Sequence, residues 1–192
     1  MRSFETQGLI RRRQGSGTFV VGKLEALDSG LEVLESLDTI AKRMGLDMSV
    51  SDLNIETVMA DEELAEALNV TTGSKLTRVR RVIRAANRPV AFLVDILPEE
   101  VLQTSDLPSD FNGSVLDFLL ARGDSLTSSR ANVSAIGASA DVAKPLEIQR
   151  GDVLLHFYAQ LFNADGKVVD YSLSYFIPGY FHFHVVRRVG GG

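Results

Sequence analysis

An α+β fold, an antiparallel sheet with flanking helices, is what this sequence predicts, and three observations predict it. Two β-rich runs, Leu76–Ala85 and Pro89–Leu97, are separated only by Ala86-Asn87-Arg88 and read as an antiparallel hairpin. A second such pair, Val153–Phe162 and Lys167–Ile177, closes around Asn163-Ala164-Asp165-Gly166. Between them lie short segments of helical spacing with capping residues at their ends. At 192 residues and 45% hydrophobic content, the chain can bury one full core and carry an appendage.

Composition narrows the function classes. The net charge of −5 argues against nucleic-acid binding by the whole surface, yet the first 23 residues hold Arg2, Arg11, Arg12, Arg13 and Lys23 against Glu5 alone. With no cysteine, disulfides and thiolate chemistry are excluded, and a reducing cytoplasm is the expected location. No apolar run approaches the roughly 18 residues of a membrane helix, and no signal-peptide pattern opens the chain.

Taken in order, Gly8-Leu9-Ile10-Arg11-Arg12-Arg13-Gln14-Gly15-Ser16-Gly17-Thr18-Phe19-Val20 makes two short strand-like runs around a Gly-Ser-Gly tip. Tip glycines let backbone approach a surface, and the arginines can neutralise phosphates. The same pattern also describes an exposed hairpin whose arginines only solvate it. From Lys23 to Gly45, Leu31, Leu34, Leu37, Ile40, Ala41 and Met44 fall at helical spacing, so a linker and helix are expected, capped by Asp28 or Ser29 and ended by Gly45. Ser49–Met59 is strand-like, and Asp61 caps a short helix through Leu68, with Glu62 and Glu63 favouring its dipole.

In the first hairpin, alternation puts Thr77, Val79, Arg81 and Ile83 on one face and Arg78, Arg80, Val82 and Arg84 on the other, expected to be a solvated basic row. Arg81 lies between two apolar residues, where a guanidinium is stable only beside an anion or carbonyl. That partner is either a residue of the protein or a ligand.

Beyond Pro98 a polar loop leads to Ser114, which caps a helix ending at Gly123, with Asp117 at the capping-box position. Such a serine satisfies a backbone N–H; the same helix end can also receive an anion. Leu126–Ile136 alternates as a strand, and Ser139–Lys144 is a short helix stopped by Pro145. If Phe162 pairs with Lys167, then Asp170, Ser172 and Ser174 share a face with Leu155, Phe157 and Ala159, a few polar groups on an apolar wall. That composition suits a pocket floor, or else a solvated sheet face. Phe181–Val189 supplies a last strand.

GLIRRRQGSGTFV closely resembles the β-wing of the winged helix-turn-helix domain in GntR-family transcription regulators. LTRVRRVIRAANRPVAFLVDILP, SVLDFLLARG and GDVLLHFYAQLFNADGKVVDYSLSYF resemble, in order, the UTRA effector-binding domain of the HutC/FarR branch. The resemblance implies a chorismate lyase-like sheet with helices against it, a homodimer, and a small effector that changes operator affinity. It implies three parts: residues 1–22 as a remnant of the DNA-binding wing, 23–48 as linker and helix, and 49–189 as the UTRA domain. The family's DNA contacts fall on Arg11, Arg12, Arg13, Gln14, Gly15, Ser16, Gly17 and Thr18. The helices that precede a wing are absent, so operator DNA is an expected partner of the full-length protein only. Of the family's ligand positions, the first strand arginine falls on Arg81, the helix-opening serine on Ser114 and the late acidic residue on Asp170. Positions that more often carry a second arginine and two tyrosines hold Ile83, Leu116 and Phe176, and Ser174 stands on the same wall. An effector with one anionic group and a more apolar body is expected, the anion held by Arg81 and the Ser114 helix end; the alternative is that Asp170 pairs Arg81 when the site is empty.

A lyase or hydrolase is the competing reading, because the fold class includes a lyase. No nucleophile elbow, P-loop or recognisable carboxylate pair occurs. His182 and His184 form an H-x-H pair with no neighbouring carboxylate or cysteine in sequence to complete a metal set, and alternate with Phe181 and Phe183 as surface residues opposite core aromatics. No cofactor, metal or membrane partner is expected.

Overall fold

The fold was analysed in a computed structural model, which describes residues 10–13, 17–20, 26–111 and 113–187. Strands β1 (Ile10–Arg13) and β2 (Gly17–Val20) pair antiparallel, Arg11 opposite Phe19 and Arg12 opposite Thr18, so the two strand-like runs form a hairpin. The tip residues Gln14, Gly15 and Ser16 lie outside the described residues.

The body is a six-stranded antiparallel sheet in the order β4-β5-β6-β9-β8-β7, formed by β4 (Met48–Met59), β5 (Lys75–Ala85), β6 (Arg88–Pro98), β7 (Leu126–Gly137), β8 (Val153–Asn163) and β9 (Val168–Phe176). The β5–β6 turn is a two-residue loop in which Ala86 and Asn87 both take positive φ (47° and 61°), the geometry that matches strand twist. Just past it, Ala91 pairs with Ile83 while Pro89 pairs with Arg84, leaving Val90 bulged. The proline, having no N–H for the ladder, sits at this irregularity.

Each sheet face is covered at two places. Helix α1 (Leu37–Met44) brings Ile40 and Ala41 against Ile83, Ala91, Leu93 and Phe176, and α3 (Val115–Arg122) brings Val115 and Leu119 against Val79, Leu97 and Leu161. On the reverse face α2 (Glu62–Leu68) packs on Leu76, Val94 and Ile96, and α4 (Ala140–Ala143) on Leu154 and Phe92. The capping logic is local: Asp61, Ser114 and Ser139 each accept from the backbone N–H three residues on, and Gly45 and Gly123 close α1 and α3 at positive φ.

Three expectations change. The basic row of β5 is not a solvated face: Leu76 and Val82 are fully buried there, and its arginines are tied to the edge strand, Arg78 and Arg80 to Glu56 and Arg84 to Ser51. The helix expected to start at Asp28 or Ser29 starts at Leu37 with Ser36 as its cap, because residues 27–30 form β3 (Leu27–Gly30), parallel to β10 (Phe181–His184). Leu31 and Leu34, read as helical, lie exposed in the irregular lead-in. That parallel pairing also gives the H-x-H pair an acid: His184 Nδ1 lies 3.0 Å from Asp28 Oδ1. His182 and His184 are exposed while Phe181 is buried. Among the described residues no group of three His, Cys, Asp or Glu comes together to hold a metal.

Candidate functional site

Between α1 and α3 the cleft face of the sheet is left uncovered over a hollow of about 720 Å³, a size suited to a small organic ligand. Strand register builds its floor. Arg81 opposes Leu93, Leu93 opposes Ser174, and Ser174 opposes Phe157, while Asp95 opposes Ser172 and Ser172 opposes Ala159. Directly opposed residues share a face, so polar groups from β5, β6 and β9 converge among Leu93, Phe157 and Phe176. The β8–β9 register differs from the expected one by two residues, one because Phe162 pairs with Val168 and one from the bulge at Leu161/Phe162, so the expected face is kept.

Arg81 is 5% exposed and its Nη1 donates to Asp95 Oδ2 at 2.6 Å, with Asp95 8% exposed. The partner is therefore Asp95, not Asp170, which corrects the expectation for the empty site. Asp170 instead accepts the Ile96 N–H at 3.2 Å. Burial, reinforced by the nearby Asp95 charge, pushes the Asp170 carboxyl well above the usual carboxylate range, against the Ile96 hydrogen bond and Arg81. Arg81 thus neutralises Asp95, while its buried Nε has no hydrogen-bond partner among the described residues. A buried guanidinium N–H left unmade is costly.

Helix ends complete the wall. Ser114 Oγ accepts from the Asp117 N–H at 3.3 Å, but the reciprocal half of the capping box is missing, because the Asp117 carboxylate is engaged by the other helix. Ser36 Oγ donates to Asp117 Oδ2 at 2.5 Å and Thr39 Oγ1 at 3.3 Å, while Ser36 caps α1 by accepting the Thr39 N–H at 2.9 Å. The N-termini of α1 and α3 therefore meet at one carboxylate beside the cleft. Asp38, in the first turn of α1, has its carboxyl pushed up by burial, with Arg81 opposing and Asp117 reinforcing.

Of the residues singled out from sequence, Arg81, Ser114, Leu116, Asp170, Ser174 and Phe176 line this one hollow together. Ile83 does not; it is buried in the apolar cluster with Ile40 and Ala91. Arg11, Arg12, Arg13, Gly17 and Thr18 lie on the paired strands β1 and β2. Three contributors are not among those residues: Asp95, the one acid of β6; the segment from Ser29 to Leu37, which leads into α1 and forms a rim of the cleft; and Thr127, Ser128, Ser129, Ala131 and Val133 of β7.

Comparison with known proteins matches residues 43–182 to the UTRA domain family. The HTH-type transcriptional regulator Rv0792c of Mycobacterium tuberculosis is 26% identical over 188 residues, covering 94% of this chain and 67% of that protein. The HTH-type transcriptional repressor NagR of Bacillus subtilis is 26% identical over 170 residues, covering 88% of this chain and 68% of that protein. In fold, the crystal structure of PhnF from Mycobacterium smegmatis superposes with a TM-score of 0.78 at 20% identity, covering 98% of this chain and 82% of that one.

Proposed function

This chain belongs to the UTRA-domain family, the effector-binding domains of GntR-family transcription regulators, and from that premise we propose that its cleft binds a small effector with one anionic group and a largely apolar body. The observation that carries this reading is the buried, half-satisfied Arg81 guanidinium opening on a roomy cleft. The anionic group pairs with the Arg81 guanidinium and lies near the Ser114 end of α3, where the dipole favours negative charge. The body packs on Leu93, Leu116, Phe157 and Phe176, and Ser172, Ser174 and Asp170 orient it by hydrogen bonds.

The coupling to DNA runs through the rim. A ligand that touches the Ser29–Leu37 segment acts on the stretch that joins the wing strands to the sheet, and the Ser36 and Thr39 hydrogen bonds to Asp117 tie that stretch to the helix that Ser114 caps. Ligand and operator then favour different placements of paired DNA-binding heads in a cytoplasmic homodimer, and each lowers affinity for the other. The wing residues Arg11 to Thr18 contact DNA in the protein carrying a complete winged helix. No catalytic step is assigned to the cleft.

A thermal-shift screen of this chain against phosphorylated sugars, amino acids, carboxylates and fatty acids tests the reading, followed by mass spectrometry of the recovered compound. The expected result is stabilisation by an anionic compound recovered intact. Stabilisation confined to uncharged compounds contradicts the anion site, and a chemically altered compound contradicts the sensing role.

A further inference from the structure

The cleft holds more acid than base. Among the described residues Arg81 is the only basic side chain that lines the hollow, against Asp95 and Asp170 on the floor and Glu32 and Glu35 at the rim. Glu35 is matched by Arg43 at 2.9 Å, and Glu32 accepts the Val186 N–H. On the floor, one guanidinium meets two carboxyls and is already engaged by Asp95 Oδ2. Asp170 stands two residues from Ser172, which opposes Asp95, so both carboxyls lie on one face as diagonal neighbours. From β8 and β7 only Ala159, Leu161, Ser129 and Ala131 face them. From the helices Asp38 stands near Arg81 with Asp117 beside it, and Lys42, the base next to Asp38, is exposed. The second oxygen of each floor carboxyl, Asp95 Oδ1 and Asp170 Oδ2, has no hydrogen-bond partner among the described residues and is not sealed from solvent, so it opens on the hollow.

An anion alone brings a further negative charge to a guanidinium that Asp95 already neutralises, in a site where burying an unmatched charge is costly. The end of α3 offers only roughly half a unit of positive charge, and Asp117 already stands there. An effector that carries its own cation restores neutrality. We propose that the effector is a zwitterion, an amino acid with an apolar side chain: its carboxylate pairs with Arg81 toward the Ser114 end of α3, and its ammonium sits between Asp95 and Asp170, donating to Asp95 Oδ1 and Asp170 Oδ2. The inference rests on the anionic-effector reading above and adds the second charge and its seat. Both seats share the Arg81–Asp95 pair, so the effector's two charges lie only a few bonds apart, which leaves its side chain for Phe157 and Phe176. The ammonium also returns Asp170, which burial holds toward its protonated form, to the carboxylate, so binding releases a proton.

Calorimetric titration of this chain with matched compounds tests the seat. One set is L-phenylalanine, hydrocinnamate, which lacks the amine, and phenethylamine, which lacks the carboxylate; the other is L-leucine, isocaproate and isopentylamine. An amino acid of either set is expected to bind on the order of 10-fold more tightly than its acid, the scale of a hydrogen bond between charged groups. Its binding heat should also differ between phosphate and Tris buffers, which take up the released proton with different enthalpies. Asp170→Asn should abolish that buffer dependence and narrow the gap between amino acid and acid; a gap left unchanged overturns Asp170 as the seat. An acid that binds as tightly as its amino acid overturns the zwitterion while leaving the anionic-effector reading intact. An amine that binds as tightly as its amino acid, with the acid silent, overturns both. Binding by none of these compounds overturns the amino-acid class and leaves the anionic-effector reading to the thermal-shift screen.

Discussion

The two faces of β5 hold the same residue type in two different electrostatic settings. Arg78, Arg80 and Arg84 reach sideways to the edge strand β4, half-exposed and sharing Glu56, Asn54 and Ser51. Arg81, one residue out of phase, points into the cleft and is buried against one carboxylate, with a second, Asp170, held toward its protonated form by burial. Charges that keep contact with water are cheap to place and weak in effect. A desolvated charge is expensive unless matched, so the carboxylates around Arg81 determine what the site can bind, whereas a buried Nε without a partner among the described residues is common to Arg80 and Arg81.

Breaking the buried side should cost most. Asp95→Ala leaves the guanidinium uncompensated and is expected to lower stability by about 3–5 kcal/mol in urea unfolding. Arg81→Met combined with Asp95→Leu should restore most of that loss, since removing both charges is often neutral. If the two variants unfold alike, the pair is not the desolvated unit described.

Titration sharpens the contrast. Because the folded Asp170 carboxyl sits above its ordinary value near 3.8, the native state keeps a proton that the unfolded chain releases. Stability at this position is therefore fullest at low pH and declines as pH rises from the ordinary value toward the raised one. Asp170→Asn removes the titration, so its melting temperature should gain on that of the unmodified chain as pH rises above the ordinary carboxylate value. A constant difference contradicts the raised value. Ser114→Ala, removing the α3 cap, is expected to cost about 1 kcal/mol. On the outer face Arg80→Ala should cost only about 0.2–1 kcal/mol, and less in high salt; a loss as large as that of Asp95→Ala would erase the difference between the faces.

Local patterns made much of this legible from sequence. Alternation placed Arg81 on an apolar face, and the Asn163–Gly166 turn placed Asp170, Ser172 and Ser174 on one wall, because strand parity survives a register error of two residues. Asp95 was harder to see, since its facing depends on the turn. A two-residue loop alone would put it beside Arg78, and the Val90 bulge after Pro89 moves it to the Arg81 face. Counting Ala86-Asn87-Arg88 as a three-residue turn gives the same faces, so the signal was present. The β3–β10 pairing left no such trace: it joins Leu27 to Phe181 across most of the chain, and helical spacing in the lead-in masked it. The gathering of Ser36, Thr39 and Asp117 is likewise long-range and has no local signature.

The most direct test of the account is a calorimetric titration of the compound selected by the thermal-shift screen into the unmodified chain and into Arg81→Met. If the cleft is an anion receptor organised by Arg81, affinity falls on the order of 100-fold, the scale of one lost charge-assisted hydrogen bond in a desolvated site. Equal affinity for both proteins would show that the buried guanidinium serves the fold alone.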